Sequence, residues 1–160
     1  FNRAWQLNER NYGALTGLQK TEMVKKLGKN KVHQFRRSWD IKPEPLSKES
    51  AYHPINIKTY KNIPEKIIPD TESLKDTYER VVKYFEEEIK NSLIDKNILI
   101  SAHGNSIRAL CKYLFKLDNN QISNLEIPTG NPLLIELGKN HKIKNCEYLD
   151  KERAKNLLVF

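Results

Sequence analysis

The sequence predicts an α/β fold, and three stretches carry that expectation. In Asn97 to Leu117, N-I-L-I-S-A-H-G-N-S-I-R-A-L-C-K-Y-L-F-K-L, the apolar run Ile98, Leu99, Ile100 reads as a buried strand. It passes directly into a helical pattern with Ile107, Leu110, Cys111, Leu114 and Phe115 on one face. Thr71 to Leu93 repeats apolar residues at helical spacing: Leu74, Tyr78, Val81, Val82, Phe85, Ile89 and Leu93. Leu133 to Leu137 and Ile143 to Tyr148 are strand-type runs around the turn Gly138-Lys139-Asn140. A length of 160 residues suits one domain with a substantial core.

Taken in order, Ala4 to Leu7 is a candidate short strand. It leads into Asn8 to Gly17, a loop punctuated by two glycines and carrying Tyr12, Leu15 and Leu18 as apolar anchors. Gln19 to Gly28 reads as a short helix with Met23, Val24 and Leu27 on one side and Gly28 as its stop. Lys31 to Trp39 reads as a second, with Val32, Phe35 and Trp39 near one face and Arg36 and Arg37 side by side. The residues from Ile41 to Pro69 hold five of the seven prolines and form a long irregular excursion, in which Tyr52, His53 and Tyr60 read as anchors rather than as chemistry. For the helix at 71–93 the expected cap is Thr71, with Glu72 in the first turn, and the segment is expected to pack against a sheet. Asp118 and Gln121 form a capping pair for a short helix through Leu125. Pro128 to Pro132 is a turn into a buried-type strand, and the last ten residues read as a ragged helical tail.

The formal charge of +8 raises nucleic acid as a partner. However, the 21 Lys, 16 Asn and 15 Ile share A/T-rich codons, which accounts for much of the excess. Without a block of five basic residues, a zinc-finger spacing or an RNA-binding aromatic motif, neither nucleic acid nor a membrane surface is expected as a partner. Small phosphorylated anions remain. No run approaches the roughly 18 apolar residues of a membrane span, and the first residues lack the pattern of a secretory signal. Cys111 and Cys146 have no C-x-x-C spacing, so a soluble protein of a reducing, cytoplasmic compartment is expected.

The joint His103-Gly104-Asn105-Ser106 concentrates the chemistry. Where a strand runs into a helix, the first N–H groups and the positive end of the helix dipole favour an anion, and here a histidine stands beside them. A hydrogen-bonded structural histidine fits the same turn, so the joint alone leaves both readings open. The same holds upstream. Glu9-Arg10 fits a surface ion pair or a site loop, and Arg36-Arg37 fits a solvated surface or a two-pronged clamp on phosphate or carboxylate.

Together, L-N-E-R-N-Y-G-A-L-T-G, R-R-S-W-D, H-G-N-S and I-P-T-G-N-P-L, in this order, resemble the 2,3-bisphosphoglycerate-dependent phosphoglycerate mutases of the histidine phosphatase superfamily. The match runs in register from Trp5 to about Leu149. The resemblance implies a three-layer α/β/α domain and interconversion of 3-phosphoglycerate and 2-phosphoglycerate. It implies 2,3-bisphosphoglycerate as phosphoryl primer, and a homo-oligomer, dimer or tetramer. It assigns proton donation and acceptance to Glu9 and stabilisation of the transferring phosphoryl group to His103. Substrate contacts fall to Arg10, Asn11, Tyr12, Lys20, Arg36, Arg37, Gly104 and Asn105, although Asn11 departs from the His common in the family. No metal is implied, since His103 and Glu9 have no third ligand at a recognisable spacing.

One motif is absent. The family's nucleophilic histidine lies in an R-H-G motif near the N-terminus, and none of His33, His53, His103 and His141 stands between Arg and Gly. Residues 1–160 are therefore expected to be the C-terminal two-thirds of a single domain, with the excursion at 41–69 inside it. The alternatives are a catalytically dead fragment that only binds phosphorylated anions and a phosphatase-only member, since hydrolytic relatives share the histidine pair. The E-R-x-Y-G and R-R-S-W-D segments favour the mutase.

Overall fold

The helical periodicity after residue 70 is realised as α3, Leu74–Tyr84, in the computed structural model of the chain, which describes residues 2–154. Its start is fixed by Ser73. The Ser73 hydroxyl accepts from the Asp76 N–H at 3.1 Å while the Asp76 carboxylate accepts from the Ser73 N–H at 2.8 Å, a reciprocal capping box. The expected cap, Thr71, instead donates its hydroxyl to the Pro43 carbonyl at 2.8 Å, because only Ser73 has an acidic partner three residues on. Ser73→Ala is expected to cost about 1 kcal/mol of stability, read from urea unfolding at neutral pH. Burial opposes ionisation of Asp76, but hydrogen bonds from Ser73 and Lys42 outweigh it and the pKa is lowered from 3.8. A lowered folded-state pKa means that this contribution is present above 3.8 and is lost as the pH falls below it.

Beyond Tyr84 the chain stays helical but changes pitch, through a π turn at Phe85–Ile89 and a 3-10 turn at Lys90–Ile94. The wider turn keeps Phe85 and Ile89 buried. The face of α3 packs on α4, Gly104–Phe115, and not on a sheet as the sequence suggested. Leu74, Val81, Phe85 and Ile89 meet Ala109, Leu110, Cys111 and Leu117, and the cluster is closed by Ile122 and Leu125 around α5, Asn119–Asn124. Asp118 and Gln121 cap α5 reciprocally, as expected. Cys111 lies in this core, where burial pushes its thiol pKa up to about 12, and both cysteines are free.

A second, smaller cluster of Leu15, Met23, Val32 and Phe35 joins α1, Lys20–Leu27, to α2, Lys29–Arg37, on either side of Gly28. Leu27 is exposed rather than on the packed side, and Trp39 lies past the end of α2, edge-on to Tyr78 at 5.3 Å. Ala4 to Leu7 is not a strand. Trp5–Leu7 forms a 3-10 turn closed by Leu7 N–H to Ala4 O at 3.1 Å. The excursion at 41–69 is irregular as expected, with short 3-10 turns, and it is pinned from within. His53 is fully buried, its Nε2 3.0 Å from Asp70 Oδ1 and its Nδ1 accepting the Ile55 N–H, while the Tyr60 hydroxyl accepts from Asn8 Nδ2 at 2.7 Å.

Among the described residues the sheet has two antiparallel strands, β1, Leu133–Leu137, and β2, Ile143–Tyr148. Burial along β1 alternates, so it is covered on one face and is not the fully buried strand expected. Ile98 to Ile100 departs further from expectation. The stretch forms no strand and is unpaired, and Leu99 is 91% exposed, because no strand among the described residues accepts or donates along its edge. Helices with this small sheet are consistent with the α/β class. The expected helical tail lies mostly outside the described residues.

Candidate active site

Loop 8–13 and the first turn of α4 meet through one side chain. Asn105, buried in that turn, donates both Nδ2 hydrogens to the loop: one to Glu9 Oε1 at 2.8 Å and one to the Tyr12 hydroxyl at 2.9 Å. Ser106 adds a third tie, its hydroxyl donating to Asn8 O at 2.6 Å. Glu9, Tyr12 and Asn105, which are 96 residues apart at the extremes, therefore form one constellation. His103 precedes it with extended backbone (φ −93°, ψ 161°), so its carbonyl starts the helix while its side chain stays exposed and makes no cap. Gly104 faces open space, and an incoming oxyanion can therefore approach the helix N-terminus.

Arginines frame the Tyr12 ring, with the guanidinium of Arg10 4.9 Å and that of Arg36 5.9 Å from its centroid. Arg10 is 2% exposed, and its Nε donates to Glu72 O at 2.8 Å while its Nη1 is buried without a protein acceptor. Burial lowers the Arg10 pKa, partly offset by Tyr12, Glu72 and Glu9. Arg37 pairs at the surface with Glu126, and Lys20 opens α1 exposed to solvent. Neither is joined to the Glu9–Tyr12–Asn105 constellation by a hydrogen bond. Asn11 turns away from it. Its amide donates to Pro69 O at 2.6 Å and its Oδ1 accepts the Gly13 N–H at 2.8 Å, so the side chain shapes the loop. Gly13 takes φ +54°, and a Cβ there would collide with the Glu44 carbonyl, which explains a glycine at this bend.

Three further residues build the site and were not named as site residues from the sequence, although Glu72 was expected in the first turn of the helix that follows. Glu72, buried, is bridged by Arg80 at 2.6 and 2.9 Å, and Arg80 also donates to the carbonyls of Gln6, Asn8 and Glu9 at 2.5, 3.1 and 3.3 Å. One ion pair thus holds the backbone of the site loop from behind. Its members are eight residues apart and more than 60 from the loop they hold, so no local pattern reveals them. The third is Arg108, one turn beyond Asn105, whose Nη1 donates to Asn105 Oδ1 at 2.9 Å. Its i+3 spacing from H-G-N was the available signal. No cluster of three His, Cys, Asp or Glu occurs among the described residues.

This arrangement offers a carboxyl group, a tyrosine hydroxyl, an exposed histidine and a buried cation around an open helix N-terminus, which is suited to handling phosphoryl groups. The chain as a whole is similar to known proteins. The chain is 69% identical over 159 residues to the 2,3-bisphosphoglycerate-dependent phosphoglycerate mutase of Pelagibacter ubique (strain HTCC1062), covering 99% of the chain and 67% of that protein. Similarity to the proteins of the same name from Hyphomonas neptunium (strain ATCC 15444) and Maricaulis maris (strain MCS10) is 50% and 44%, covering 96% and 98% of the chain and 64% and 65% of theirs. The chain thus spans about two-thirds of the length of these relatives. The family pattern of the histidine phosphatase superfamily (branch 1) matches residues 3–145 and so takes in both the site loop and the His103 turn, and the chain belongs to that superfamily.

Proposed function

We propose that this chain is the larger part of a phosphoglycerate mutase that interconverts 3-phosphoglycerate and 2-phosphoglycerate. The observation that carries this reading is the Glu9–Asn105–Tyr12 constellation beside the open start of α4, with the unpartnered Nη1 of Arg10 buried next to Tyr12. A mutase needs two things here. A carboxyl group must take the proton of an attacking hydroxyl and return it to a leaving alkoxide, which is the role of Glu9. Fixed donors must hold charge on a phosphoryl group in flight, which falls to His103, Arg10 and the N–H groups of Gly104 and Asn105.

The primer named in the relatives, 2,3-bisphosphoglycerate, fits this donor set, and when bound it supplies the phosphoryl group to the family's histidine. Arg10, Tyr12, Arg36 and Arg37 would hold its anionic groups, with Lys20 at the rim. Arg37 would exchange its exposed partner Glu126 for the ligand. Asn11 belongs to the loop's own framework. We place the protein in the cytoplasm as a homo-oligomer, in keeping with a small-anion substrate and with free cysteines; no helix of the described residues is long and apolar enough to cross a membrane.

The test joins the chain behind the segment of the Pelagibacter relative that precedes the match. Enolase-coupled turnover of 3-phosphoglycerate that requires 2,3-bisphosphoglycerate is expected. Release of inorganic phosphate without 2-phosphoglycerate would instead make the protein a phosphatase, and binding without turnover a vestigial anion site. Residues 1–160 alone are expected to give no turnover, because His103 is the one histidine at this site among the described residues.

A further inference from the structure

The orientation of the Asn105 side chain is decided by Arg108. Arg108 is 5% exposed, anchored by Nη2 to the Ile122 carbonyl at 2.5 Å and pointing Nη1 at Asn105 Oδ1 at 2.9 Å. A guanidinium can only donate, so the oxygen end of the amide must face it. The Nδ2 end then faces Glu9 and Tyr12, both of which accept. Turning the amide over would set N–H groups against the guanidinium and an oxygen against the carboxylate, leaving buried groups unmatched on both sides. Burial, with the charge of Arg37, brings the Arg108 pKa down to about 10, which leaves it a cationic donor at neutral pH.

The consequence falls on Glu9. Its Oε1 accepts from Asn105 Nδ2 at 2.8 Å and from the Arg10 N–H at 2.7 Å. Both hydrogen bonds to the carboxylate end on this oxygen, and a proton placed there would displace one of them. Building on the mutase reading above, we propose that Arg108 is a positioning residue that locks the Asn105 amide and so dedicates Oε2 of Glu9 to proton exchange with the substrate hydroxyl. The proton passes from the attacking hydroxyl to Oε2 and from Oε2 to the leaving alkoxide. Oε1 remains an acceptor throughout.

The test is a double-mutant cycle in the mutase-active protein. Arg108→Met is expected to lower kcat about tenfold to a hundredfold through misplacement of the carboxylate, with KM for 3-phosphoglycerate changed by less than about twofold. Arg108→Lys, which keeps one donor, should recover part of the loss. In an Asn105→Ala background, Arg108→Met should cost no further kcat. The same loss in both backgrounds, or a rise in KM with kcat unchanged, would overturn the proposal.

The wild-type chain supplies a reading that needs no variant. In its NMR spectrum the Asn105 side-chain amide protons should show stronger contacts to the Tyr12 ring than to the Arg108 guanidinium. The reverse pattern would overturn the proposal even if Arg108→Met failed to fold. Absence of mutase activity in the unmutated protein would instead count against the functional reading, while the amide contacts still decide the role of Arg108.

Discussion

Arg80→Leu is expected to destabilise the chain by about 3–5 kcal/mol, the cost of leaving one member of a buried ion pair without its partner. Arg80 donates twice to the Glu72 carboxylate and also to the carbonyls of Gln6, Asn8 and Glu9. With leucine there, the buried carboxylate keeps only the Asn11 N–H at 2.8 Å, and three loop carbonyls lose a donor. Asn8 O keeps the Ser106 hydroxyl, while the half-buried carbonyls of Gln6 and Glu9 lose their Arg80 donor and add to the cost. Replacing Glu72 by leucine as well removes the stranded charge and should recover part of the loss. Urea unfolding of both variants checks this, and a change under about 1 kcal/mol for Arg80→Leu would show that the loop is held by other means.

Glu9→Gln is expected to reduce kcat by about 10²–10⁴ with little change in KM. The amide of glutamine keeps an oxygen where Oε1 now accepts from Asn105 and from the Arg10 N–H, so the loop and the substrate contacts are retained. What is lost is the carboxyl group to which proton exchange is assigned in the proposed mechanism. Coupled turnover in the protein carrying the family's nucleophilic histidine is the measurement, and a kcat within tenfold of the unmutated protein would move proton transfer to another residue.

Much of the local structure was legible because its causes are local. The caps of α5, the Gly28 break between α1 and α2, and the apolar face of α3 follow from spacing alone. Ser73 replaced Thr71 as a cap because the reciprocal partner at Asp76 outweighs residue type. Ile98 to Ile100 has the composition of a strand, but a strand exists only with a neighbour that takes its N–H and C=O groups. Among the described residues none does, and the run forms no strand, with Ile98 and Leu99 exposed and Ile100 half-buried against the core. Asn11 shows the same limit at the site, because whether an amide faces a ligand or its own loop depends on carbonyls such as that of Pro69, distant in sequence.

By itself the sequence determined the helices, the two-stranded hairpin and the superfamily through its ordered motifs. Only the tertiary structure decided that Asn105 joins Glu9 to Tyr12, that Glu72 and Arg80 hold the loop from behind, and that Arg108 sets the direction of the Asn105 amide. Helix periodicity and capping act within a few residues and are written in the sequence. Buried polar contacts bring together groups up to 96 residues apart, and which donor meets which acceptor is fixed only once burial removes water as the alternative partner.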